Sequence, residues 1–167
     1  GAWAHLRRHR DALERRDKGR KDYGAWFAWG RTQAMEATGP KLLTKTFSRR
    51  PAFFRDESDA LFCNGYSVSL PSTSLYASGL DLRLLQRILN SAVMHYFARL
   101  TSFAIEGDYQ CYQKNFIERF GVPDFDRAVA TLRDAPDEVF EASLLAHYGI
   151  AAAAVHEIVK GADRNAP

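Results

Sequence analysis

Cysteine is scarce in this chain of 167 residues, because only Cys63 and Cys111 occur and they lie far apart. No C-x-x-C pair exists, which argues against a structural zinc site. Two free, buried thiols in a reducing, cytoplasmic compartment of a bacterial or archaeal cell are the expectation. Long apolar runs of about 18 residues are also missing, so no segment is predicted to cross a membrane. The arginine-rich start of the chain does not resemble a signal peptide.

Catalytic motifs are absent as well. The sequence contains no Pro-Pro pair, so it lacks the Asp/Asn-Pro-Pro-aromatic motif of enzymes that methylate base amines. It also lacks a Gly-rich nucleotide loop, a Gly-x-Ser-x-Gly elbow and a His-Glu-x-x-His metal motif. His5 and His9 stand four residues apart without a third ligand nearby. We therefore expect no catalytic residue, no metal and no cofactor in this chain.

What the sequence does contain is a globular composition with an uneven charge. Hydrophobic residues make up 46% and aromatic residues 13%, which is enough for a sizeable core. Residues 1–55 carry a formal charge of +9 and residues 56–167 carry −6. This asymmetry indicates either a surface that faces a polyanion or a solvated basic helix without a partner.

The pattern of apolar residues predicts an α+β fold with a small mixed or antiparallel sheet. An amphipathic helix is expected from Trp3 to about Arg16, and a central helix with a 3.6-residue period at about 81–99. The strands are expected at 41–47, 52–55 and 66–70 and near 102–112, and further helices at 125–133, 136–147 and 152–160. The predicted domains are 1–123 and a helical C-terminal appendage, 124–167, with the boundary near Pro123.

Basic and aromatic residues alternate in the first third of the chain, at Trp29-Gly30-Arg31, at Lys45-Thr46-Phe47 and at Arg49-Arg50 before Phe53-Phe54. Lysine and arginine bind phosphates, and glutamine can read adenine in the major groove. Gln33 follows Arg31 by two residues, so both side chains point to one side of an extended segment. Core aromatics with solvated charges are the alternative, and a buried structural role is the alternative for Arg31.

A second group lies in Gly107-Asp108-Tyr109-Gln110-Cys111-Tyr112-Gln113-Lys114. Tyr112 and Lys114 would combine a ring that stacks on a base with a phosphate contact. Two core tyrosines and a surface lysine are the equally open alternative. The asparagine of the predicted tight turn Asn64-Gly65 is expected near the same face.

In order along the chain, several segments together resemble the TaqI-like C-terminal specificity domain of N6-adenine DNA methyltransferases of restriction–modification systems. The segments are Trp26 with Gly30-Arg31-x-Gln33, Gly39-Pro40-Lys41-Leu42-Leu43, Phe53 to Asp56, Phe62-Cys63-Asn64-Gly65-Tyr66, Leu85-x-x-Ile88-Leu89-Asn90-Ser91, Gly107-x-Tyr109-x-x-Tyr112-x-Lys114-x-Phe116 and Val122-Pro123. They cover about residues 3–123. Asp108 departs from the family, which often has a second glycine at this position.

The resemblance implies a division of labour. A methyltransferase catalytic domain elsewhere in a parent chain would bind S-adenosylmethionine and methylate a flipped adenine, and this chain would select the sequence on double-stranded DNA. The residues expected at the DNA are Arg31, Gln33, Lys45, Arg49, Arg50, Asn64, Tyr112 and Lys114. A module that docks onto another subunit of a DNA-defence complex is the alternative. A complete enzyme is the third reading, which the missing motifs disfavour.

Overall fold

The structure is a computed structural model that describes residues 1–30, 35, 38–62, 64–70, 80–122 and 125–160, with the main chain alone for 125–128 and 160. The chain divides into two compact units, residues 1–37 and residues 38–167. Helices and small antiparallel sheets occur together, so the predicted α+β class is confirmed. The expected boundary at Pro123 falls outside the described residues.

In the first unit, the predicted helix from Trp3 to Arg16 is two shorter helices. Helix α1 spans Ala2–Arg8 and helix α2 spans Arg10–Glu14. His9 separates them with φ −105° and ψ 16°, and its N–H donates to the carbonyl of Leu6 at 3.0 Å. A 3₁₀ turn at Arg16–Gly19 follows. The break is invisible in the sequence because the apolar spacing continues across it.

Arg16 holds the first unit together. Its guanidinium donates to the carbonyls of Leu13 at 2.9 Å, Ala28 at 2.9 Å and Trp26 at 3.1 Å. The same group lies 4.1 Å from the ring centroid of Tyr23. The hydroxyl of Tyr23 donates to Asp17, and this bond raises the pKa of the tyrosine. One arginine thus connects the helical segment to the aromatic stretch that follows it.

The second unit contains two three-stranded antiparallel sheets among its described residues, instead of the one sheet that the sequence predicted. Strands β1 (Lys41–Lys45), β2 (Phe47–Ser48), β3 (Phe53–Asp56), β4 (Gly65–Val68), β5 (Ala104–Ile105) and β6 (Tyr109–Cys111) form them. The first sheet has the order β3-β1-β4 and the second the order β2-β6-β5. The predicted strands at 52–55 and 66–70 are present with shifted ends, and the predicted strand at 41–47 is instead broken at Thr46 into β1 and β2, which belong to different sheets.

The predicted central helix at 81–99 is also two helices, α3 (Leu82–Leu89) and α4 (Ala92–Thr101). The Asp81 side chain caps α3 by accepting from Leu84 N at 2.7 Å, and Ser91 caps α4 by accepting from Met94 N at 3.2 Å. Asn90 between them accepts from Phe53 N at 2.8 Å and donates to Phe53 O at 3.0 Å. These bonds satisfy main-chain groups of β3, so the break has a tertiary cause.

The predicted C-terminal helices are confirmed as α6 (Phe125–Arg133), α7 (Asp137–Tyr148) and α8 (Ala152–Lys160), after the short α5 (Lys114–Ile117). Helix α7 ends at Gly149, whose φ of 64° is the left-handed value that glycine adopts without strain. Helices α7 and α8 pack against α4. Helices α6 and α7 therefore belong to the same core as the first sheet, with buried side chains at Leu132, Phe140 and Leu144, and α8 buries Val155.

Two polar contacts join α6 and α7 to the central helices. Arg87 of α3 donates to the carbonyls of Leu132, at 3.2 Å, and of Ala135, at 2.7 Å, which lie at the end of α6 and just after it. Glu141 of α7 accepts from Ala92 N through both carboxylate oxygens, at 3.1 and 3.2 Å. Burial raises the pKa of Glu141. Its carboxylate supplies an acceptor to the N-terminal turn of α4, where main-chain donors are unsatisfied.

Candidate nucleic-acid interface

Three of the segments that contain predicted site residues, those of Lys45, Asn64 and Tyr112, meet at a bend at Thr46. Strand β1 belongs to the first sheet and β2 to the second, so the chain changes sheets at this residue. The Thr46 carbonyl accepts from Tyr112 N at 2.7 Å, and its hydroxyl donates to the Asn64 carbonyl at 3.3 Å. The segments around Thr46, Asn64 and Tyr112, which lie far apart in the sequence, therefore meet here. In the sequence analysis, only the resemblance connected these segments.

The Asn64-Gly65 turn is fixed against β1 by a close main-chain approach. Asn64 has φ 57°, a left-handed conformation that asparagine tolerates better than most residues. A Cβ on Gly65 would lie 2.4 Å from the Thr44 carbonyl oxygen, so only glycine fits. The sequence predicted a tight turn between two strands. The turn instead ends a crossover, because β1 lies between β3 and β4. It leaves Asn64 exposed beside Lys45.

The two lysines of β1 have different environments. Lys45 is exposed at the end of the strand, as a phosphate contact requires. Lys41 is completely buried, and its Nζ lies 2.8 Å from Asp56 Oδ2 and donates to Ser58 O at 2.8 Å and to Gly39 O at 3.2 Å. The bond from Lys41 lowers the pKa of Asp56. Lys41 thus stabilises the crossover that follows β3, and Lys45 is the lysine that faces solvent.

Arg49 and Arg50 are both exposed and directly follow β2. The Arg49 guanidinium carbon lies 5.5 Å from the ring centroid of Tyr109, which is within cation–π range. The Arg50 carbonyl accepts from the Ser48 hydroxyl, which fixes the chain just beyond the strand. These two arginines continue, along one segment, the series of exposed cations that starts at Lys45.

The prediction that Tyr112 offers its ring to a base is incompatible with the structure. Tyr112 is completely buried, and its hydroxyl lies 2.8 Å from Nδ1 of His95, which is itself buried in α4. Burial raises the pKa of Tyr112 well above its usual value. The alternative of a core tyrosine is therefore confirmed for Tyr112, whereas Tyr109 is exposed.

Lys114 is exposed at the start of α5. Both interpretations of the 107–114 segment, DNA contact and core tyrosines, predicted a surface lysine here. It lies on the rim of an open, largely apolar cleft of about 380 Å³, together with Glu118 one turn further along. The cleft is lined by β4, α3 and α5, with Tyr66, Val68, Leu85 and Leu89 among its walls. Lys114 therefore stands at the edge of an apolar cleft and beside a carboxylate.

Arg31 and Gln33, the remaining predicted contacts, lie outside the described residues. Sequence reasoning overlooked Tyr109, which is 41% exposed at the start of β6. The signal for it was Gly107, because a glycine in a turn marks the tip of a hairpin and the first strand residue beyond it can face outward. Asp108, in the same turn, has φ 60°, a left-handed conformation that few residues other than glycine adopt.

The charges around the bend are mainly positive. Residues 38–55 contain five lysines and arginines and no aspartate or glutamate. One of the five, Lys41, is neutralised by Asp56, and another, Arg55, lies 3.1 Å from Glu57. Lys45, Arg49 and Arg50 remain as exposed cations, and an arrangement of this kind attracts a polyanion.

No protein family profile matches the chain, and no curated protein matches its sequence. Among the described residues, no group of three or more His, Cys, Asp or Glu side chains could hold a metal ion. Within the same ranges no single helix is long and apolar enough to cross a membrane. Asp137–Tyr148 and Ala152–Val159 reach that length and composition only as a pair bent by 106°.

Proposed function

We propose that this chain is a DNA-reading module, the target-recognition part of a site-specific N6-adenine DNA methyltransferase. The observation that carries the proposal is the bend at Thr46, where Lys45 and the Asn64-Gly65 turn lie side by side and Arg49 and Arg50 follow on the same segment. The resemblance in the order of the sequence motifs supports the adenine-methyltransferase context.

The residues divide by the kind of contact they would make. Lys45, Arg49, Arg50 and Lys114 contact phosphates, which gives affinity without sequence information. Asn64 is a candidate base reader, because asparagine and glutamine side chains can bond to both major-groove positions of adenine. Gln33 has the same side-chain amide group and is a second candidate base reader. S-adenosylmethionine and the reacting adenine belong, in this proposal, to a separate catalytic domain of the parent protein.

DNA contacts of this kind can supply the energy needed to extrude a base. Extruding a base from a duplex costs a few kcal/mol, and that energy must come from contacts elsewhere on the DNA. A module that binds phosphates and reads neighbouring bases supplies such contacts without catalytic residues. We accordingly expect no methyl transfer when this chain alone is mixed with S-adenosylmethionine and DNA, and measurable turnover would contradict the proposal.

The test is binding to specific and random duplexes across a salt series, with this chain alone and with the chain joined to its catalytic domain. Lys45→Ala and Arg50→Ala should weaken binding to both duplexes and reduce the salt slope by about one unit each. Arg133→Ala is the matched control, because Arg133 is an exposed arginine at the end of α6. Unchanged affinity and slope in both test variants would show that the DNA face lies elsewhere.

Base reading needs a different measurement. Asn64→Ala and Gln33→Ala should each cost roughly 1–3 kcal/mol of discrimination at one base pair if the side chain makes a bidentate contact. The quantity to compare is the ratio of affinities for the specific duplex and for duplexes with one substituted base pair. A variant that loses affinity for all duplexes equally would place its residue among the phosphate contacts.

Docking onto another subunit of a DNA-defence complex is the second candidate function. The observation that favours it is the exposure of large apolar side chains in the first unit, where Trp29 is 74% and Phe27 is 48% exposed. Exposed aromatic patches commonly mark interfaces between proteins. Salt-independent association with a protein partner, together with no measurable affinity for duplex DNA, would favour this function over the first.

A further inference from the structure

The outer face of the second sheet carries exposed apolar side chains. Antiparallel pairing places Ile105 opposite Tyr109, and Cys111 N donates to Phe103 O at 2.9 Å. Gln110 points the other way, because it is buried and its amide donates to the Ala98 carbonyl of α4 at 3.1 Å. Strand alternation then sets Phe103, Ile105 and Tyr109 on the face away from α4, where they are 48%, 44% and 41% exposed.

Neighbouring rings hold this surface in place. Phe103 makes edge-on contacts with Phe47, at a centroid distance of 6.2 Å, and with Phe116, at 6.0 Å. Both distances lie within the range of aromatic pairs that stabilise each other. We call Phe47, Phe103, Ile105 and Tyr109 the hairpin face. It is a supported surface, because its central ring is packed on two sides and still faces solvent.

Tyr109 has a defined position at the edge of the hairpin face. Gly107 and Asp108 precede it with φ values of 76° and 60°, so two consecutive left-handed residues reverse the chain. A Cβ on Gly107 would lie 3.6 Å from the Tyr109 ring, which shows how closely the turn backs the ring. The Arg49 guanidinium lies over that ring at 5.5 Å. Tyr109 is therefore a partly exposed ring that is backed by the turn and has a displaceable cation over its face.

The charge around the hairpin face selects its partner. Arg49, which lies over the Tyr109 ring, and the next residue, Arg50, are both exposed, and no acidic residue occurs in the 38–55 segment that contains them. Two acids, Glu106 and Asp108, lie in the turn directly before Tyr109, so the attraction for an anionic backbone at this face comes from the arginines. Aromatic rings beside cations are the combination that proteins use to bind unpaired bases.

We propose that the hairpin face is a stacking site for an unpaired nucleobase, in which the base takes the place of the Arg49 guanidinium on the Tyr109 ring, and Arg49 and Arg50 contact the flanking phosphates. This inference rests on the proposed function and adds a second mode of contact to it. Duplex reading at the bend would then be joined by preference for DNA in which one base has left the helical stack. The ligand class is a nucleic acid with an unpaired base.

The experiment compares two short duplexes that are identical except for one unpaired adenine, and uses the full chain at one salt concentration. The wild type should bind the bulged duplex about tenfold more tightly, since an unpaired base that stacks on an aromatic ring adds to the affinity. Tyr109→Ala should abolish this ratio and Tyr109→Phe should keep it. Phe54→Ala is the matched control, because Phe54 is a 59% exposed ring on the first sheet.

A second readout follows the base directly. A fluorescent adenine analogue at the bulge should be quenched on binding to the wild type and to Tyr109→Phe, but not on binding to Tyr109→Ala. Equal affinity of the wild type for both duplexes, or a ratio that survives in Tyr109→Ala, would overturn the stacking site. A different result would contradict the proposed function: the wild-type chain would show no salt-dependent binding to any duplex. The two outcomes are therefore distinguishable.

Discussion

The two units of the chain are stabilised in different ways. In the first unit no described residue is buried, and the contacts include hydrogen bonds of Arg16 with main-chain carbonyls, contacts of arginines with aromatic rings, and a cluster of the Trp3, Trp26 and Phe27 rings. In the second unit one continuous core contains side chains from both central helices, the first sheet, α6 and α7. Burial of apolar surface is the dominant stabilising contribution in folding. The second unit therefore has the means to fold cooperatively, whereas the first depends on a few polar contacts and one partly exposed aromatic cluster.

The largest expected effect concerns the extent of that core. Leu144 of α7 is completely buried, so Leu144→Ala should reduce the free energy of unfolding of the second unit by about 3 kcal/mol. Urea unfolding followed by far-ultraviolet circular dichroism measures this change. Leu100→Ala, at a 56% exposed leucine, is the control and should change stability by less than about 0.5 kcal/mol. A loss below 1 kcal/mol, against the 2–5 kcal/mol typical of a core leucine, would mean that α7 unfolds separately from the sheets.

The next effect tests the polar part of the second unit. Lys41→Met keeps the volume of the buried side chain but leaves the carbonyl of Ser58 and the carboxylate of Asp56 without their partner. We expect a destabilisation of about 2–3 kcal/mol, because buried acceptors that lose a bond retain their desolvation penalty. Lys45→Met, on the exposed lysine of the same strand, should be nearly neutral. Equal effects of the two substitutions would contradict the distinction between them.

A smaller effect belongs to the first unit, which contains all three tryptophans, Trp3, Trp26 and Trp29. Tryptophan emission therefore reports on this unit alone. Arg16→Lys keeps the charge but removes the two guanidinium nitrogens that donate to the carbonyls of Ala28 and Trp26. We expect the free energy of unfolding of the first unit to fall by about 1 kcal/mol. The emission should change at lower urea, with the circular-dichroism transition unmoved. Arg15→Lys, at an 81% exposed side chain, is the control. Coincident shifts of both signals would show that the units unfold together.

The smallest effect is a pH dependence of the second unit. Because Lys41 lowers the pKa of Asp56, ionised Asp56 stabilises the fold at neutral pH. That contribution is complete above the ordinary aspartate pKa of about 3.9 and disappears as the pH falls through the lowered value. The difference in stability between the wild type and Asp56→Asn should accordingly be constant near neutrality and shrink below about pH 4. A difference that stays constant into acid would place the stabilisation in something other than this charge.

The sequence predicted segments that use local signals well. The C-terminal helices were correct to within one or two residues, because apolar spacing and a terminal glycine act within a single helix. The central helix was predicted as one, since its 3.6-residue period runs unbroken through Asn90 and Ser91. Only the presence of β3 beside Asn90 gives that side chain main-chain groups to bond and makes the break favourable.

In the candidate site, too, the sequence did not predict features that depend on contacts between distant residues. Composition identified the basic, aromatic first third of the chain, and the order of motifs linked it to the Asn64 and Tyr112 segments. Sequence could not tell which of two neighbouring tyrosines is buried, since Tyr109 and Tyr112 share one residue type and one short segment. The bond to His95 and the packing of the second sheet against α4 place Tyr112 inside and leave Tyr109 exposed.

The sequence by itself determined the α+β class, the positions of most helices and strands, and the concentration of positive charge in residues 1–55. These follow from periodicity and charge, which are properties of contiguous residues. Tertiary structure alone decided that β1 and β2 join different sheets, that Lys41 is buried while Lys45 is exposed, and that Tyr109 faces solvent. Each of these depends on residues distant in sequence that become neighbours only when the chain folds, and burial and pairing are defined by such neighbours.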